Sequence, residues 1–318
     1  MNPILALIIA NVIWGMASPI FKFALTNIPP FTLAFIRFFF AGLIFIPFAL
    51  NKWQRLTPKQ WVEIILVGFF GISINISFFF LGLQKTESIN VPVIASSGPV
   101  FIYLLSIIFL KEKPKLKVLA GMIIALSGVL FIILSPLILD GKKFAIGAVE
   151  GNLFILIATL GTVFQTIIGR DVLKKINALQ VSVIAFLFGS LTFIPFIPKE
   201  LTSWDISSLN IAGVTGIIFG VFFSSALAYF LFYYGVSKLK AQDVGIFTYI
   251  DPLAAIIIAA PLLHEYPNLF YILGGALIFG GIYFAEGRVH WHPFHRLKNT
   301  TNTTNKQILP MNEKQMIK

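Results

Sequence analysis

The chain has 318 residues, of which 57% are hydrophobic and only 12% charged, with a mean hydropathy of +0.88. Soluble domains carry roughly 25% charged residues, so a deficit spread over most of the length excludes that class and implies many membrane-spanning helices. The net charge of +11 lies in short connections and a tail, which points to lipid headgroups and not to nucleic acid, and the absence of cysteine excludes disulfides and thiolate metal sites.

Taken in chain order, apolar runs near the ~20 residues that cross a bilayer fall at 3–25, 32–50, 61–83, 89–110, 116–138, 149–169, 179–198, 210–235, 243–263 and 268–286. The first has no basic residue before it. Its only charge is Lys22, so it reads as a retained helix and not a signal peptide. It also carries Asn11, Trp14 and Pro19; Lys22 lies near its outer end, where it can snorkel, pair or gate. The second run holds Arg37, expected at an interface or pairing helices. Asn75 stands in "GISINISFFF" of the third run, and the fourth contains Ser96, Ser97 and Pro99 in "SSGPV". Gln165 and Tyr229 are the deep polar side chains of the sixth and eighth runs. Thr248, Tyr249, Asp251 and Pro252 follow one another in the ninth, and glycine pairs in the eighth and tenth read as close helix packing.

Lysine and arginine crowd the connections after the second, fourth, sixth and eighth runs, and the tail. The positive-inside rule then places both termini in the cytoplasm of a cell (inner or plasma) membrane protein. The tail, 287–318, is basic and polar and is expected to be disordered; its histidines lack the rigid frame a metal site needs.

Sliding the chain by 153 positions lays "GLQKTESINVPVIASSGPV" on "GVSKLKAQDVGIFTYIDPL" without a gap. Lys85 then meets Lys238, Pro99 meets Pro252, Glu112 meets Glu265, and Gly121 and Gly128 meet Gly274 and Gly281. The expected architecture is therefore all-α and polytopic: ten transmembrane helices as two inverted five-helix repeats, 1–138 and 149–286, joined by 139–148. An odd number of spans inverts the second copy. Inverted repeats are the architecture of secondary transporters, with the substrate near the midplane.

Asp251 lies eight residues beyond the polar start of its run at Asp243, ~12 Å into a core ~30 Å thick. A central aspartate costs about 2.5–3.5 kcal/mol on insertion scales, so it faces a polar cavity or a partner, or holds a proton. Pro252 removes one helical N–H and frees the carbonyl of Thr248, which would kink the helix, as Pro19 and Pro99 would theirs. The repeat partner of Asp251 is Gly98: the kink is shared and the carboxylate is not. No HExxH, GxSxG or Walker motif occurs, so neither an enzyme nor an ATPase is expected, and no catalytic or metal-binding residue is assigned.

"WGMASPIFK" in the first run, the arginine of "FIRFFF", and the twice-used pattern of mid-span proline, terminal glutamate and following glycines resemble the EamA-type branch of the drug/metabolite transporter superfamily. The resemblance covers all ten runs and excludes the tail. It implies a central cavity walled largely by the first, third, fourth, sixth, eighth and ninth spans. On it, Trp14, Asn75, Ser97, Gln165, Tyr229, Thr248, Tyr249 and Asp251 are the expected substrate-binding residues, and Lys22 and Arg37 serve gating or charge pairing. The expected activity is alternating-access transport of a small polar metabolite, foremost efflux of an amino acid or related amphoteric compound. It needs no cofactor, with proton coupling left open, and has lipids and the substrate as its partners. The alternatives are uptake of a choline-like cation, where aromatic faces and a carboxylate attract quaternary ammonium, and a lipid scramblase or structural membrane protein. Oligomeric state is not encoded.

Overall fold

In the computed structural model the described residues are 2–110, 116–139, 144–173, 175–238 and 245–286, and helix is their only regular conformation. A bilayer offers the backbone no hydrogen-bond partner, so each spanning segment must satisfy its own N–H and C=O groups. The helices are α1 (Pro3–Ala24), α2 (Pro30–Leu50), α3 (Pro58–Gly68) continuing through a π-helical Phe69–Ile74 into α4 (Asn75–Leu83), α5 (Asn90–Ala95), α6 (Gly98–Leu110), α7 (Leu116–Leu139), α8 (Phe144–Val172), α9 (Ala178–Leu191) and the short α10 (Ile197–Leu201). They continue with α11 (Ile211–Ile218), a π-helical Phe219–Leu227, α12 (Ala228–Lys238), α13 (Asp251–Leu263) and α14 (Leu269–Glu286).

Among the described residues seven helical segments are long and apolar enough to cross a membrane. Three shorter apolar helices, Asn90–Leu105, Phe247–Leu263 and Leu269–Ala285, occupy the fourth, ninth and tenth expected runs. Within these, the fourth run changes from α-helix to a turn at 96–97 and back, and the ninth from a 3-10 turn to α-helix at Asp251.

Local chemistry explains where helices start. Asn2, Asn177 and Asn210 accept the N–H two residues on and so cap α1, α9 and α11, and Thr57 with Gln60 forms a reciprocal capping box at α3. At α2 the cap position is Pro29, which has no side-chain oxygen. Its orphan donors are taken from afar: Glu200 of α10 accepts the N–H of Phe31 at 2.9 Å and both the N–H and Oγ of Thr32 at 2.7 Å. The end of α13 is set by His264, whose φ of 55° turns the chain left-handed.

Aromatic rings tie helices together within a mainly aliphatic interior. Phe21 stands edge-on to Phe79, Phe80 and Phe219, drawing α1, α4 and the second π-helical segment together. On another side α7 meets α14 through glycine. A Cβ on Gly121 would fall 2.5 Å from the Gly281 carbonyl oxygen, and one on Gly128 2.6 Å from that of Gly274. As residue numbers rise on one helix they fall on the other, so the two run antiparallel.

This crossing has no room for a methyl group. Gly281→Ala should destabilise the protein by about 1–3 kcal/mol. Gly280→Ala, whose Cβ would meet nothing within 4 Å, should leave stability unchanged or raise it by up to ~1 kcal/mol. Thermal unfolding of the purified protein in detergent reads both; equal effects at the two positions would rule out the close crossing.

Candidate functional site

The fourth and ninth runs break at equivalent places. α5 ends at Ala95 and α6 resumes at Gly98, while the 3-10 turn Gly245–Ile250 precedes α13 at Asp251. Gly98 and Asp251 are the residues that the sequence repeat superposes. At two of the expected kink positions, Pro99 and Pro252 occupy the second position of an α-helix, where the missing N–H has no partner to lose. α1 passes through Pro19 as one continuous helix. At the first break Ser97 Oγ donates to Ile94 O at 2.6 Å and Ser96 Oγ to Pro92 O at 2.7 Å, so both hydroxyls serve the local backbone.

The start of α13 lies against α1. A Cβ on Gly15 would fall 2.4 Å from Asp251 O and 2.7 Å from Ala254 Cβ; only glycine lets the two backbones approach so closely. Asn11, Gly15, Ser18 and Lys22 are spaced as one helical face. Along this seam three buried polar atoms make no hydrogen bond: Asn11 Oδ1, Ser18 Oγ and Asp251 Oδ1. A buried polar group left unpaired costs about 1–3 kcal/mol.

Trp14, beside Gly15, points to the neighbouring wall. Its Nε1 donates to Ser224 O at 3.0 Å, and its ring meets Tyr229 at 5.2 Å and Phe232 at 5.1 Å. Ser224 is shared: its Oγ accepts from Arg37 Nη2 at 2.9 Å, while Ser225 Oγ accepts from Arg37 Nε at 2.9 Å. Arg37 is only 5% exposed. The expected interfacial position is replaced by one inside the bundle, with Cζ 4.7 Å from the Phe21 ring centre and 4.6 Å from that of Phe38. Gly220 makes room for its stem. One contiguous chain thus leads from Asp251 through Gly15, Trp14 and Ser224 to Arg37.

At the far end of α1, Lys22 Nζ lies 2.7 Å from Glu265 Oε1 and 2.6 Å from Thr86 O. The other oxygen of Glu265 accepts from Ser88 N at 2.7 Å, Ser88 Oγ at 2.6 Å and Ile89 N at 3.3 Å. Glu265 therefore caps the entry to α5 while pairing with α1. Its repeat partner, Glu112, lies outside the described residues, as do the tail and its histidines.

Asn75 and Gln165 occupy a different place, the contact of α8 with the third run. Asn75 Nδ2 donates to Ala158 O at 2.7 Å and Thr162 Oγ1 at 2.9 Å, and the Gln165 amide fills the space above Gly71. Thr248 and Tyr249 lie in the turn before Asp251, with the Tyr249 ring 5.2 Å from Phe279 of α14. Sequence reasoning missed Ser224 and Ser225. Two adjacent hydroxyls in "VFFSSALAYF", deep in the eighth run, were the available signal.

The two stretches 1–134 and 149–286 each match the EamA-like transporter family. An uncharacterized transporter of Bacillus subtilis, YetK, is 30% identical over 287 residues, covering 89% of this chain and 86% of its own. An uncharacterized transporter of Archaeoglobus fulgidus is 28% identical, covering 86% and 94%. A WAT1-related chloroplast protein of Arabidopsis thaliana is 24% identical, covering 86% and 67%. A solved crystal structure, 19% identical, superposes with a TM-score of 0.62 over 89% of this chain and 95% of that one, which is a likeness of fold. With its apolar helices and both matched stretches, the chain belongs to the EamA-like family of multi-pass membrane transporters, within the drug/metabolite transporter superfamily.

Proposed function

We propose that the protein is a secondary transporter that moves a small polar metabolite, an amino acid or related amphoteric compound, by alternating access and in the direction of efflux. The observation that carries this reading is the pair of equivalent helix breaks, at Gly98 and Asp251, of which one alone bears a carboxylate. Broken helices at matching positions of two halves mark the substrate site in inverted-repeat transporters. The ten-span, two-half arrangement has further support. π-helical segments interrupt the third and eighth runs alike, and Gly121 and Gly128 cross antiparallel on each other's repeat equivalents.

Asp251 is the substrate's ammonium partner or the exchanger of a proton, with Trp14 and Tyr229 holding the apolar part. The unpaired oxygens along the α1–α13 seam fit a machine with two states, since groups left unpaired in one can find partners in the other. The Lys22–Glu265 pair joins the first half to the second at one end of the bundle. With both termini cytoplasmic, that end faces outward, and the pair closes it.

Two experiments test the reading. In proteoliposomes, one amphoteric solute should be taken up saturably, and Asp251→Asn should slow it about tenfold or more. A pH gradient should change the wild-type rate if the carboxylate carries a proton. Normal transport by the variant would make Asp251 a structural group. Separately, Lys22→Met and Glu265→Gln should each increase labelling of a cysteine placed on the α1 face at Ser18 by a membrane-impermeant reagent added from outside. Labelling as low as in the parent protein would mean the pair is not a closure.

A further inference from the structure

Arg37 is a buried cation that has no carboxylate partner among the described residues. None of the three helical runs around it, 3–24, 30–50 and 211–238, contains an aspartate or glutamate, and among the described residues no carboxylate pairs with it. Its hydrogen-bond acceptors are two neutral hydroxyls, those of Ser224 and Ser225. Asp251, the half-buried carboxyl of the ninth run, likewise has no ion-pair partner among the described residues, and its buried Oδ1 receives no hydrogen bond. A guanidinium and a carboxyl group therefore stand in one helical bundle, linked through Gly15, Trp14 and Ser224, without pairing with each other.

The geometry at Arg37 states which part of it remains available. A guanidinium carries five N–H donors in a planar fork. Nε and Nη2 make up its side edge, and these are the two atoms held by the serines. The guanidinium carbon also lies over the rings of Phe21 and Phe38. Three N–H groups are left, the second Nη2 hydrogen and both of Nη1, and two of them form the end-on pair of the fork. A carboxylate fits that pair bidentately.

We propose that Arg37 is the anion-recognition residue of the transport site, receiving the substrate's carboxylate on its end-on N–H pair while Asp251 receives the ammonium. This rests on the transporter reading above and assigns to Arg37 a role in specificity beyond pairing helices. A zwitterion supplies both missing counter-charges at once and leaves the core neutral. A simple amine or a simple acid supplies one and leaves the other charge buried and unpaired, which is how a polar site rejects an analogue lacking a group.

The test compares sets of isosteric solutes: L-phenylalanine with phenethylamine and 3-phenylpropionate, and L-leucine with isoamylamine and 4-methylpentanoate, beside a panel of the common amino acids. Thermal stabilisation of the detergent-solubilised wild type and counterflow in proteoliposomes are both read. A zwitterion should stabilise and exchange, and each one-charge analogue should be about tenfold to a hundredfold weaker. Arg37→Gln should remove the advantage of phenylalanine over phenethylamine while keeping that over phenylpropionate, and Asp251→Asn should do the reverse. Arg37→Lys, which keeps the cation but loses the fork, should fall between. If Arg37→Gln does not fold, the wild-type solute series still decides. Equal response to a zwitterion and its amine, an Arg37→Gln protein that keeps the full preference, or transport confined to solutes lacking a carboxylate would overturn the role of Arg37 and leave the transporter reading standing. Failure of every solute in a broad metabolite panel to exchange would instead remove the transporter reading itself.

Discussion

The constraint on which this structure depends is that a backbone inside a bilayer has no water to bond to. Every helix end within the bundle must find its partners in protein, and the chain meets that demand from a distance. Glu200 takes the N–H groups at the start of α2 that Pro29 cannot cap. Glu265 does the same for Ser88 and Ile89 at the entry to α5. Each glutamate comes from a segment more than a hundred residues away, so the satisfied helix end is also a tertiary tie. Helix dipoles favour negative charge at such N-termini, which explains why the caps are carboxylates even beside the membrane.

The same constraint makes the interruptions informative. A break in a spanning helix exposes polar backbone, and it persists only where protein or a ligand can answer it. The first break answers itself, through the hydroxyls of Ser96 and Ser97. The second places a carboxylate at its edge, on a residue whose backbone lies against a glycine of α1. The two halves share a backbone device and differ in the chemistry attached to it.

Much of this was legible in the sequence because membrane helices are written in composition. Apolar run lengths located the segments, and the matched Glu112 and Glu265, Pro99 and Pro252 located the internal repeat. Asp251 stood out because a carboxylate in an apolar run needs a polar cavity, a partner or a proton. Orientation around each helix was not legible, since apolar segments carry no polar face to set a phase. Arg37 therefore reads as interfacial from its distance to the helix start, although it is 5% exposed. Ser97 reads as a cavity residue although its hydroxyl serves Ile94. The breaks read as kinks because proline signals a lost N–H in either case, and only the backbone on its N-terminal side distinguishes a bent helix from a new one. The π-helical segments left no sequence mark at all.

Buried charge separates the two kinds of polar residue in this bundle. Lys22 and Glu265 pair directly, with the remaining carboxylate oxygen fully hydrogen-bonded, which is how an ion pair survives desolvation. Arg37 is held differently, by two serine hydroxyls and two aromatic faces that position it without neutralising it. A neutral cradle stabilises a cation less than a carboxylate would, and aromatic faces recover only part of the difference. It has one property that a carboxylate partner lacks: an arriving anion does not have to compete with it. Asp251 shows the complementary arrangement, a carboxyl group with no ion-pair partner among the described residues and one oxygen without a donor. Saturated charges at the rim and unsaturated charges of opposite sign in the interior are what a protein needs if the rim is to hold shape and the interior is to hold a guest.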